Sequence, residues 1–364
     1  MKKVAIILAG GTGGRLWPES TVDHPKQFKS FVSKLPLVLE TYTLANEIFD
    51  KEDIYILTFR RYYDLLKATI SDIDNENILL EPFGKNTGPA ITLANKLLSD
   101  KYNDDDIFTY IPSDHLIKNK EAYLSALNSS IESATQINEL VSVGIEPKSP
   151  NSQLGYIQYE EENVNGTANN LYEIGLRKAF VFAEKPDIDT AARFIESGDF
   201  VWNSGIFSSK YSVINEEIKD NLPMAYDLIN KVNTEDTNTK SEFNLDYVYK
   251  QVNPISIDNG VLEKTKRLNI VKANFDWCDL GTWDEYYNSS EKDEYNNVQE
   301  GSVVSVNTFN SLVKSKNKLI AVSDVDDLLV VEADNAIYIS KRGKSANIKS
   351  LQQIIRSNEL NKLL

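Results

Sequence analysis

Short apolar runs alternate with longer segments of helical spacing through the first part of this chain, and this alternation restricts the possible fold more than any other feature. The runs at residues 4–9, 54–58, 107–111 and 141–145 have the length and β-branched content of buried strands. Segments 37–49 and 89–98 have helical spacing, and in the second the apolar residues fall on one face. Parallel strands joined by crossover helices produce this pattern, so the sequence predicts an α/β fold.

The character of the sequence changes near residue 288. Residues 288–297 are polar and acidic without periodicity, which indicates a linker. Short strands predicted at residues 303–306, 318–322, 328–331 and 336–339 follow it, and a helical stretch occupies residues 348–364. With 364 residues, 41% of them apolar, the chain can bury more than one core. We therefore expect a large domain at residues 1–290 and a small β-rich domain at residues 298–364.

Charge and cysteine content exclude several classes of function. The 39 basic and 54 acidic residues give a net charge of −15, which opposes binding to nucleic acid or to an anionic membrane. Any anion must therefore be held by a local site. The single cysteine, Cys278, excludes an internal disulfide and a multi-cysteine zinc cluster, and it suggests a reducing compartment. No apolar stretch approaches the ~20 residues of a membrane span, so we expect a soluble cytoplasmic protein.

The segment after the first predicted strand combines four glycines with two nearby cations. It reads Leu8-Ala9-Gly10-Gly11-Thr12-Gly13-Gly14-Arg15-Leu16-Trp17-Pro18, and Pro25-Lys26-Gln27-Phe28 follows. Glycines let backbone amides approach a ligand, and oriented amides at a strand end form an anion-binding nest. The spacing fits neither a Walker A loop nor the dinucleotide fingerprint, which needs glycine where Leu16 stands. The segment predicts a phosphate site with charge from Arg15 and Lys26; the alternative is a turn that only joins strand to helix.

These residues resemble the signature of the sugar-nucleotide pyrophosphorylases, and most closely that of the mannose-1-phosphate guanylyltransferases. Further matching blocks follow in the same order across almost the whole chain: Glu81-Pro82, Lys85-Asn86-Thr87-Gly88-Pro89-Ala90, Pro112-Ser113-Asp114-His115, Gly155-Tyr156-Ile157, Glu184-Lys185-Pro186-Asp187, Trp202-Asn203-Ser204-Gly205 and Asp276-Trp277-Cys278-Asp279-Leu280-Gly281-Thr282-Trp283. Each block alone is a weak signal, but this many in one order is specific.

The resemblance implies a fold and an activity. The implied fold is a Rossmann-like nucleotidyltransferase domain with a mixed, mostly parallel sheet, followed by a small C-terminal β-helix-like domain that ends in a helix. The implied reaction transfers GMP from GTP to α-D-mannose 1-phosphate, giving GDP-mannose and pyrophosphate. Positioning and charge neutralisation dominate such a transfer. Mg2+ is the implied cofactor, since it binds one or two carboxylates together with phosphate oxygens.

The resemblance also implies roles for individual residues. The implied catalytic residues are Arg15, Lys26, Asp114, Lys185 and Asp279, of which Asp114 and Asp279 would hold the metal. The implied nucleotide-binding residues are Leu8, Ala9, Gly10, Gly11, Thr12, Gly13, Gly14, Glu81, Asn86 and Thr87. The implied sugar-binding residues are Gly155, Glu184 and Asn203. Structural alternatives remain: Asp114 as a helix N-cap, Asp279 as a turn residue, Thr87 as an N-cap and Glu184-Lys185 as a solvated charged pair.

Glu81 is the candidate for base selection. Guanine offers an N1–H and an N2 amino donor on one edge, and a single carboxylate can accept both hydrogen bonds. Glu81 follows the apolar residues Ile78, Leu79 and Leu80, so it stands at the end of a predicted strand. We therefore expect Glu81 to contact the guanine of GTP.

Two departures from the family pattern leave alternatives open. The family has a glycine-tyrosine-glycine stretch where this chain has Gln153-Leu154-Gly155, and tyrosine-alanine where it has Asn259-Gly260 beside Asp258. The alternatives are the same chemistry with another sugar 1-phosphate, such as a manno-heptose or fucose phosphate, or with another nucleoside triphosphate. A non-catalytic regulatory protein that binds a sugar nucleotide is a third interpretation. Strands after residue 300 could pair with a second copy, so a homodimer is possible.

Overall fold

The computed structural model describes residues 1–31, 33–162, 168–233, 235–236 and 241–364. The chain divides into two compact units that are both discontinuous in sequence. The first unit consists of Met1–Gly10, Thr41–Ser113 and Ile117–Trp277. The second consists of Gly11–Glu40, Asp114–Leu116 and Cys278–Leu364. The predicted division at residues 1–290 and 298–364 stays a prediction.

The strands are β1 Lys3–Leu8, β2 Ile54–Phe59, β3 Ile78–Glu81, β4 Ile107–Pro112, β5 Leu116–Ile117, β6 Leu140–Ile145, β7 Tyr156–Tyr159, β8 Leu176–Ala183, β9 Phe200–Lys210, β10 Leu268–Ala273, β11 Trp277–Cys278, β12 Val298–Glu300, β13 Val303–Phe309, β14 Leu312–Lys314, β15 Ile320–Asp326, β16 Leu328–Glu332 and β17 Ile337–Lys341. The helices are α1 Leu37–Ala45, α2 Tyr63–Thr69, α3 Thr87–Leu98, α4 Lys120–Gln136, α5 Asn169–Glu173, α6 Ile188–Ser197, α7 Tyr211–Asn221, α8 Pro223–Ile229, α9 Leu245–Gln251, α10 Trp283–Ser289 and α11 Ile348–Ser357.

The first unit is built on one large sheet. Within the described residues it has nine strands in the order β3-β2-β1-β4-β9-β6-β10-β8-β7. Strands β3, β2, β1 and β4 are mutually parallel, as are β6 and β10. Strands β8 and β9 run against their neighbours, so seven strands share one direction and two oppose it. The predicted α/β fold with a mixed, mostly parallel sheet is confirmed.

Burial explains why these segments form the central strands. All six residues of β2 and of β6 are buried, as the continuous apolar runs predict for strands covered on both faces. Residues of α3, including Ile91, Leu93 and Ala94, pack in the same core as β1 and β4. The carboxyl ends of β1 and β3 therefore lie at one edge of the sheet, where open α/β sheets bind ligands.

The second unit contains a β-helical coil. Strands β12, β14 and β16 form one parallel ladder and β13 pairs with β15 in another, so the chain alternates between two sheets as it winds. Strand β17 returns antiparallel to β16. The core of this unit joins Val298, Leu312 and Leu329 from the coil to Trp17 and Phe31 from the start of the chain. The predicted β-rich region that ends in a helix is confirmed.

Three predicted boundaries were wrong in detail. The first helix ends at Ala45 and not at residue 49, because the amides of Glu47 and Ile48 bond to carbonyls only three residues back, as in tighter turns. Helix α10 extends to Ser289, inside the predicted linker, because its tyrosines are buried in the core. Helix α11 ends at Ser357 because Glu359 has a φ of 60°. No helix in the described ranges is long and apolar enough to cross a membrane.

Candidate active site

The glycine-rich loop of the second unit has a shape that its side chains hold. Gly13 has a φ of 60°, and a Cβ there would lie 2.6 Å from Ser20 Oγ, so both the backbone conformation and the space require glycine. Gln27 Nε2 donates to the Gly11 carbonyl at 2.8 Å, and Ser20 Oγ donates to the Thr12 carbonyl at 3.2 Å. Both hydrogen bonds are accepted by carbonyl oxygens of the loop, so neither of them uses a loop amide.

Lys26 is the most buried cation of this loop region, with 8% of its surface exposed. Its Nζ lies 2.9 Å from Asp114 Oδ2 and donates to the carbonyls of Asp279 at 2.9 Å and Leu280 at 3.3 Å. An ammonium has three N–H donors, so these three acceptors use all of them. Lys26 therefore ties Asp114 to the segment that carries Asp279.

The two predicted metal ligands, Asp114 and Asp279, both lie in the second unit beside Lys26. Burial is the largest influence on the pKa of Asp114 and would raise it, but the positive charge of Lys26, the His115 imidazole and hydrogen bonds to the carboxylate together hold that pKa below its ordinary value. The carboxylate is thus ionised at neutral pH, and its Oδ1 lies 4.0 Å from the His115 imidazole. Asp279 Oδ1 accepts from the Gly281 amide at 3.2 Å. Two carboxylates in one compact unit fit the one or two carboxylates that Mg2+ uses.

The structural alternatives for these aspartates have different outcomes. Asp114 is not a helix N-cap, because α4 begins at Lys120 with Asn119 as its cap. Asp279 does hold a turn through its bond to the Gly281 amide, so this part of the structural alternative is observed. Among the described residues, no group of three or more His, Cys, Asp or Glu side chains could hold a metal ion.

Arg15 and Asp279 meet at Gly281. A Cβ at Gly281 would lie 2.9 Å from Arg15 Nη2, 3.0 Å from Asp279 Oδ2 and 2.8 Å from Glu285 Oε2. All four residues belong to the second unit. Glycine at this position therefore lets a guanidinium and a carboxylate approach the same point of backbone.

These groups border a cleft of about 500 Å³ within the second unit. Its charged lining consists of Arg15, Lys26 and Asp114 from the sequence-predicted set and of Lys349 and Arg356 from α11. Gly13, Gly14 and Gly281 provide backbone at its wall. The predicted phosphate residues are therefore brought together around a concave, mainly cationic surface.

The predicted sugar-binding residues converge in the first unit. The Asn203 amide donates to the Gly155 carbonyl at 2.8 Å, and a Cβ at Gly155 would lie 2.7 Å from Glu184 Oε2. Asn203 Nδ2 donates to Asp258 Oδ1 at 2.8 Å. Burial, followed by the negative charge of Glu184, raises the pKa of Asp258 to about 6. Asp258, for which the family resemblance implied no role, lies with these residues. We call the group of Gly155, Glu184, Asn203 and Asp258 the Asn203 cluster.

Lys185 stands beside the Asn203 cluster in an uncommon backbone conformation. Its φ is 51°, and its Nζ forms an ion pair with the neighbouring Glu184 carboxylate. Half of the Lys185 side chain is exposed, against 14% for Glu184. The charged pair that was the structural alternative is thus present, and it leaves the ammonium at the surface where a phosphate could replace the carboxylate.

Glu81 lies at the end of β3 and is almost completely buried, with 3% of its surface exposed. Tyr249 donates its hydroxyl to Glu81 Oε2 at 2.7 Å, and a Cβ at Gly10 would lie 3.2 Å from Oε1. Burial raises the pKa of Glu81 to about 7, although the Tyr249 hydrogen bond opposes the rise. Tyr249 is a neighbour of Glu81 that sequence analysis did not identify.

The remaining predicted nucleotide-binding residues of the first unit have structural partners. Leu8 ends β1, and the Ala9 amide and carbonyl both bond to β2. Asn86 caps α3 by accepting from the Thr87 amide at 2.8 Å, and Thr87 Oγ1 accepts from the Ile257 amide at 2.8 Å. Thr87 therefore fixes the segment that carries Asp258.

Comparison with known proteins places this geometry in a family. The profile of the nucleotidyl transferase family matches residues 4–296. The chain belongs to that family. The profile of the MannoseP isomerase/GMP-like beta-helix domain matches residues 301–353, which include β13–β17. The protein is thus a nucleotidyltransferase.

Individual relatives of this nucleotidyl transferase align over nearly its full length. A mannose-1-phosphate guanylyltransferase of Salmonella muenchen is 30% identical, with 99% of this chain and 75% of the relative aligned. The alginate biosynthesis protein AlgA of Pseudomonas fluorescens is 31% identical over 96% of this chain and 71% of its own. A crystal structure described as a mannose-1-phosphate geranyltransferase from Thermus thermophilus has a TM-score of 0.85 at 25% identity and covers 98% of this chain and 100% of its own.

Proposed function

We propose that this nucleotidyltransferase transfers GMP from GTP to α-D-mannose 1-phosphate, giving GDP-mannose and pyrophosphate. The observation that carries the proposal is the Asn203 cluster, in which the Glu184 and Asp258 carboxylates and the Asn203 amide lie close together. Such groups suit the hydroxyls of a sugar, because they accept and donate along defined lines. The guanylyltransferase name of relatives that align over almost the whole chain supports this choice of sugar.

The chemical step follows from the charges of the second unit. An oxygen of the sugar phosphate attacks the α-phosphorus of GTP, a new P–O bond forms, and the bond to the β-phosphate bridging oxygen breaks as pyrophosphate leaves. Asp114 and Asp279 would hold Mg2+, which neutralises charge on the transferred phosphate when bound. Lys26 keeps the Asp114 side chain and the Asp279 segment together through its three short contacts. Arg15 supplies charge to the departing phosphates, and Lys185 to the sugar phosphate.

Base choice would depend on Glu81. When ionised, this carboxylate can accept hydrogen bonds from the N1–H and N2 amino groups of guanine. In adenine the N1 atom is itself an acceptor, so it would face the carboxylate without a hydrogen bond. The amides of Gly10 to Gly14 would lie along the phosphates. A cytoplasmic setting and a homodimer are parts of the same proposal.

Another sugar 1-phosphate remains the second candidate, because of one specific residue. Leu154 stands where the family has tyrosine, and it is buried beside Gly155 of the Asn203 cluster. Loss of a tyrosine hydroxyl removes one polar group that could contact a sugar. Membership of the nucleotidyl transferase family favours catalysis over a regulatory role.

The test is pyrophosphate release from each of GTP, ATP, UTP and dTTP with a panel of sugar 1-phosphates and Mg2+. Turnover confined to GTP with mannose 1-phosphate is expected. Asp279→Asn should lose at least about a hundredfold in kcat, since it removes a charged ligand. Asp276→Asn is the matched control, because the Asp276 side chain is exposed and its carboxylate pairs with the equally exposed Lys148. Turnover with another sugar would replace mannose in the proposal, and no turnover with any pair would refute it.

A further inference from the structure

The cleft of the second unit carries an excess of positive charge in a strongly acidic protein. The side chains of Arg15, Lys26, Lys349 and Arg356 line it, and the only acidic side chain among its described lining residues is Asp114. Lys26 already neutralises Asp114 at 2.9 Å. The chain as a whole has a net charge of −15, so a local cationic concavity is not explained by average composition.

The donors of Lys26 do not account for this cationic surface. All three are engaged by Asp114 and by two backbone carbonyls, so this ammonium has no donor left for an anion in the cleft. A pyrophosphate carries several negative charges, and Arg15 supplies one guanidinium from the glycine-rich loop. The additional charge in the cleft comes from α11.

Helix α11 presents one polar stripe to the cleft. Lys349, Gln352, Gln353 and Arg356 occupy positions i, i+3, i+4 and i+7, which share one face of a helix, and all four line the cleft. Among the residues that the structure describes, neither Lys349 nor Arg356 has a carboxylate within 4.0 Å. The helix itself is anchored beside the stripe: Ile348 is buried in the core, and Gln352 Nε2 donates to the Gly14 carbonyl at 2.7 Å.

The segment after α11 is also held against the glycine-rich loop region. Trp17 Nε1 donates to the Leu363 carbonyl at 2.5 Å, and the Val22 amide donates to the Leu364 carbonyl at 2.7 Å. Both ends of α11 are therefore fixed within the second unit. Because this helix is already ordered, its two cations can bind a ligand without the loss of backbone conformational entropy that a flexible segment would undergo on binding.

We propose that Lys349 and Arg356 of α11 form a binding subsite for inorganic pyrophosphate, the leaving group of the reaction. The inference rests on the proposed function for the source of the pyrophosphate, but the binding itself requires neither base nor sugar. In this arrangement Arg15 contacts the leaving group from the glycine-rich loop, and Lys349 and Arg356 contact it from α11, which is hydrogen-bonded to that loop through Gln352. The subsite assists departure in the forward direction and binds the second substrate in the reverse direction.

The experiment measures binding of inorganic pyrophosphate with Mg2+ to the full chain by calorimetry, and the KM for pyrophosphate in the reverse reaction. Lys349→Gln and Arg356→Gln should each weaken binding about tenfold, because each removes a charged donor to phosphate. Arg356→Lys keeps the charge and should recover part of the loss. Lys341→Gln is the matched control: Lys341 is an exposed cation of β17 outside the cleft lining.

If α11 had only a structural role, the substitutions would change the thermal unfolding temperature. If Lys349 and Arg356 bind pyrophosphate, the substitutions should leave the thermal unfolding temperature and the KM for the sugar phosphate unchanged, since both side chains are exposed. Unaltered pyrophosphate affinity in the double variant would overturn the inference, even if the wild type turns over GTP. Loss of pyrophosphate affinity in a protein that never turns over GTP with mannose 1-phosphate would support this inference and refute the proposed function. Absence of pyrophosphate binding by the wild type would overturn the inference.

Discussion

Replacement of Glu81 by glutamine should change how the stability of the protein depends on pH. Burial raises the pKa of this carboxyl from 4.5 to about 7, so the folded protein binds the proton more tightly than the unfolded chain does. Stability from this group is therefore greatest below the unfolded pKa and falls as pH rises through the folded pKa. Above about pH 7 the folded protein must hold an ionised carboxylate almost out of contact with water.

The size of the effect follows from the two pKa values. Because a tenfold change in proton affinity corresponds to ~1.4 kcal/mol, the free energy of unfolding should fall by about 2.5 kcal/mol between about pH 5 and pH 8 from this residue alone. Glutamine has no such proton. The Tyr249 hydroxyl can still donate to the glutamine oxygen, and any fixed cost of the amide is the same at both pH values.

The free energy of unfolding can be measured by urea titration of the wild type and of Glu81→Gln at pH 5 and pH 8, with circular dichroism as the signal. The free energy of unfolding of Glu81→Gln minus that of the wild type should rise by about 2.5 kcal/mol from pH 5 to pH 8. Asp258 and all other groups titrate in both proteins and cancel in this difference. Glu76→Gln, an exposed carboxylate just before β3, controls for net charge. A difference that does not change with pH would show that Glu81 is not titrating in a buried site.

Further predictions concern kinetics. The KM for GTP should fall as pH rises through about 7, because guanine binds the ionised form of Glu81. Tyr249→Phe should move this transition to higher pH, since the Tyr249 hydrogen bond lowers the pKa of Glu81 in the wild type. A KM for GTP that does not depend on pH would contradict both statements. Gly281→Ala should reduce kcat at least about tenfold, because the new Cβ would lie 2.9 Å from Arg15 Nη2; full activity in steady-state assays would show that the loop can yield. Asp258→Asn should raise the KM for the sugar phosphate several-fold and leave that for GTP unchanged, whereas equal changes in both would indicate general damage. Removal of Mg2+ with EDTA should abolish turnover, and added Mg2+ should restore it.

Local sequence predicted those parts of the fold and site that depend on neighbouring residues. The continuous apolar run of β1 and the position of Glu81 directly after β3 follow from hydrophobicity and strand direction. The requirement for glycine at Gly13 follows from a left-handed backbone and a close side chain, which a glycine-rich loop indicates in advance.

Long-range partners could not be predicted in the same way. Lys26 bonds to a carbonyl 253 positions away, and no local pattern indicates that its donors are used there. Tyr249 lies 168 positions from Glu81. The polar stripe of α11 is visible in the sequence as residues spaced by three and four, but its direction is set by Ile348, which packs in the core of the second unit. Only the tertiary structure shows which side of the helix faces the cleft.

The discontinuous second unit has a consequence for synthesis on the ribosome. Its glycine-loop segment ends at Glu40, and the segment that carries the β-helical coil begins at Cys278, 238 positions later (278 − 40). Trp17 and Phe31 therefore emerge long before the residues that cover them, Leu312 and Leu329 among them. Contacts this distant in sequence form slowly, and apolar residues without their partners are prone to association. A nascent chain of this protein would keep its phosphate loop unfinished until the last coil is made, so truncated products would lack the cleft as well as the coil.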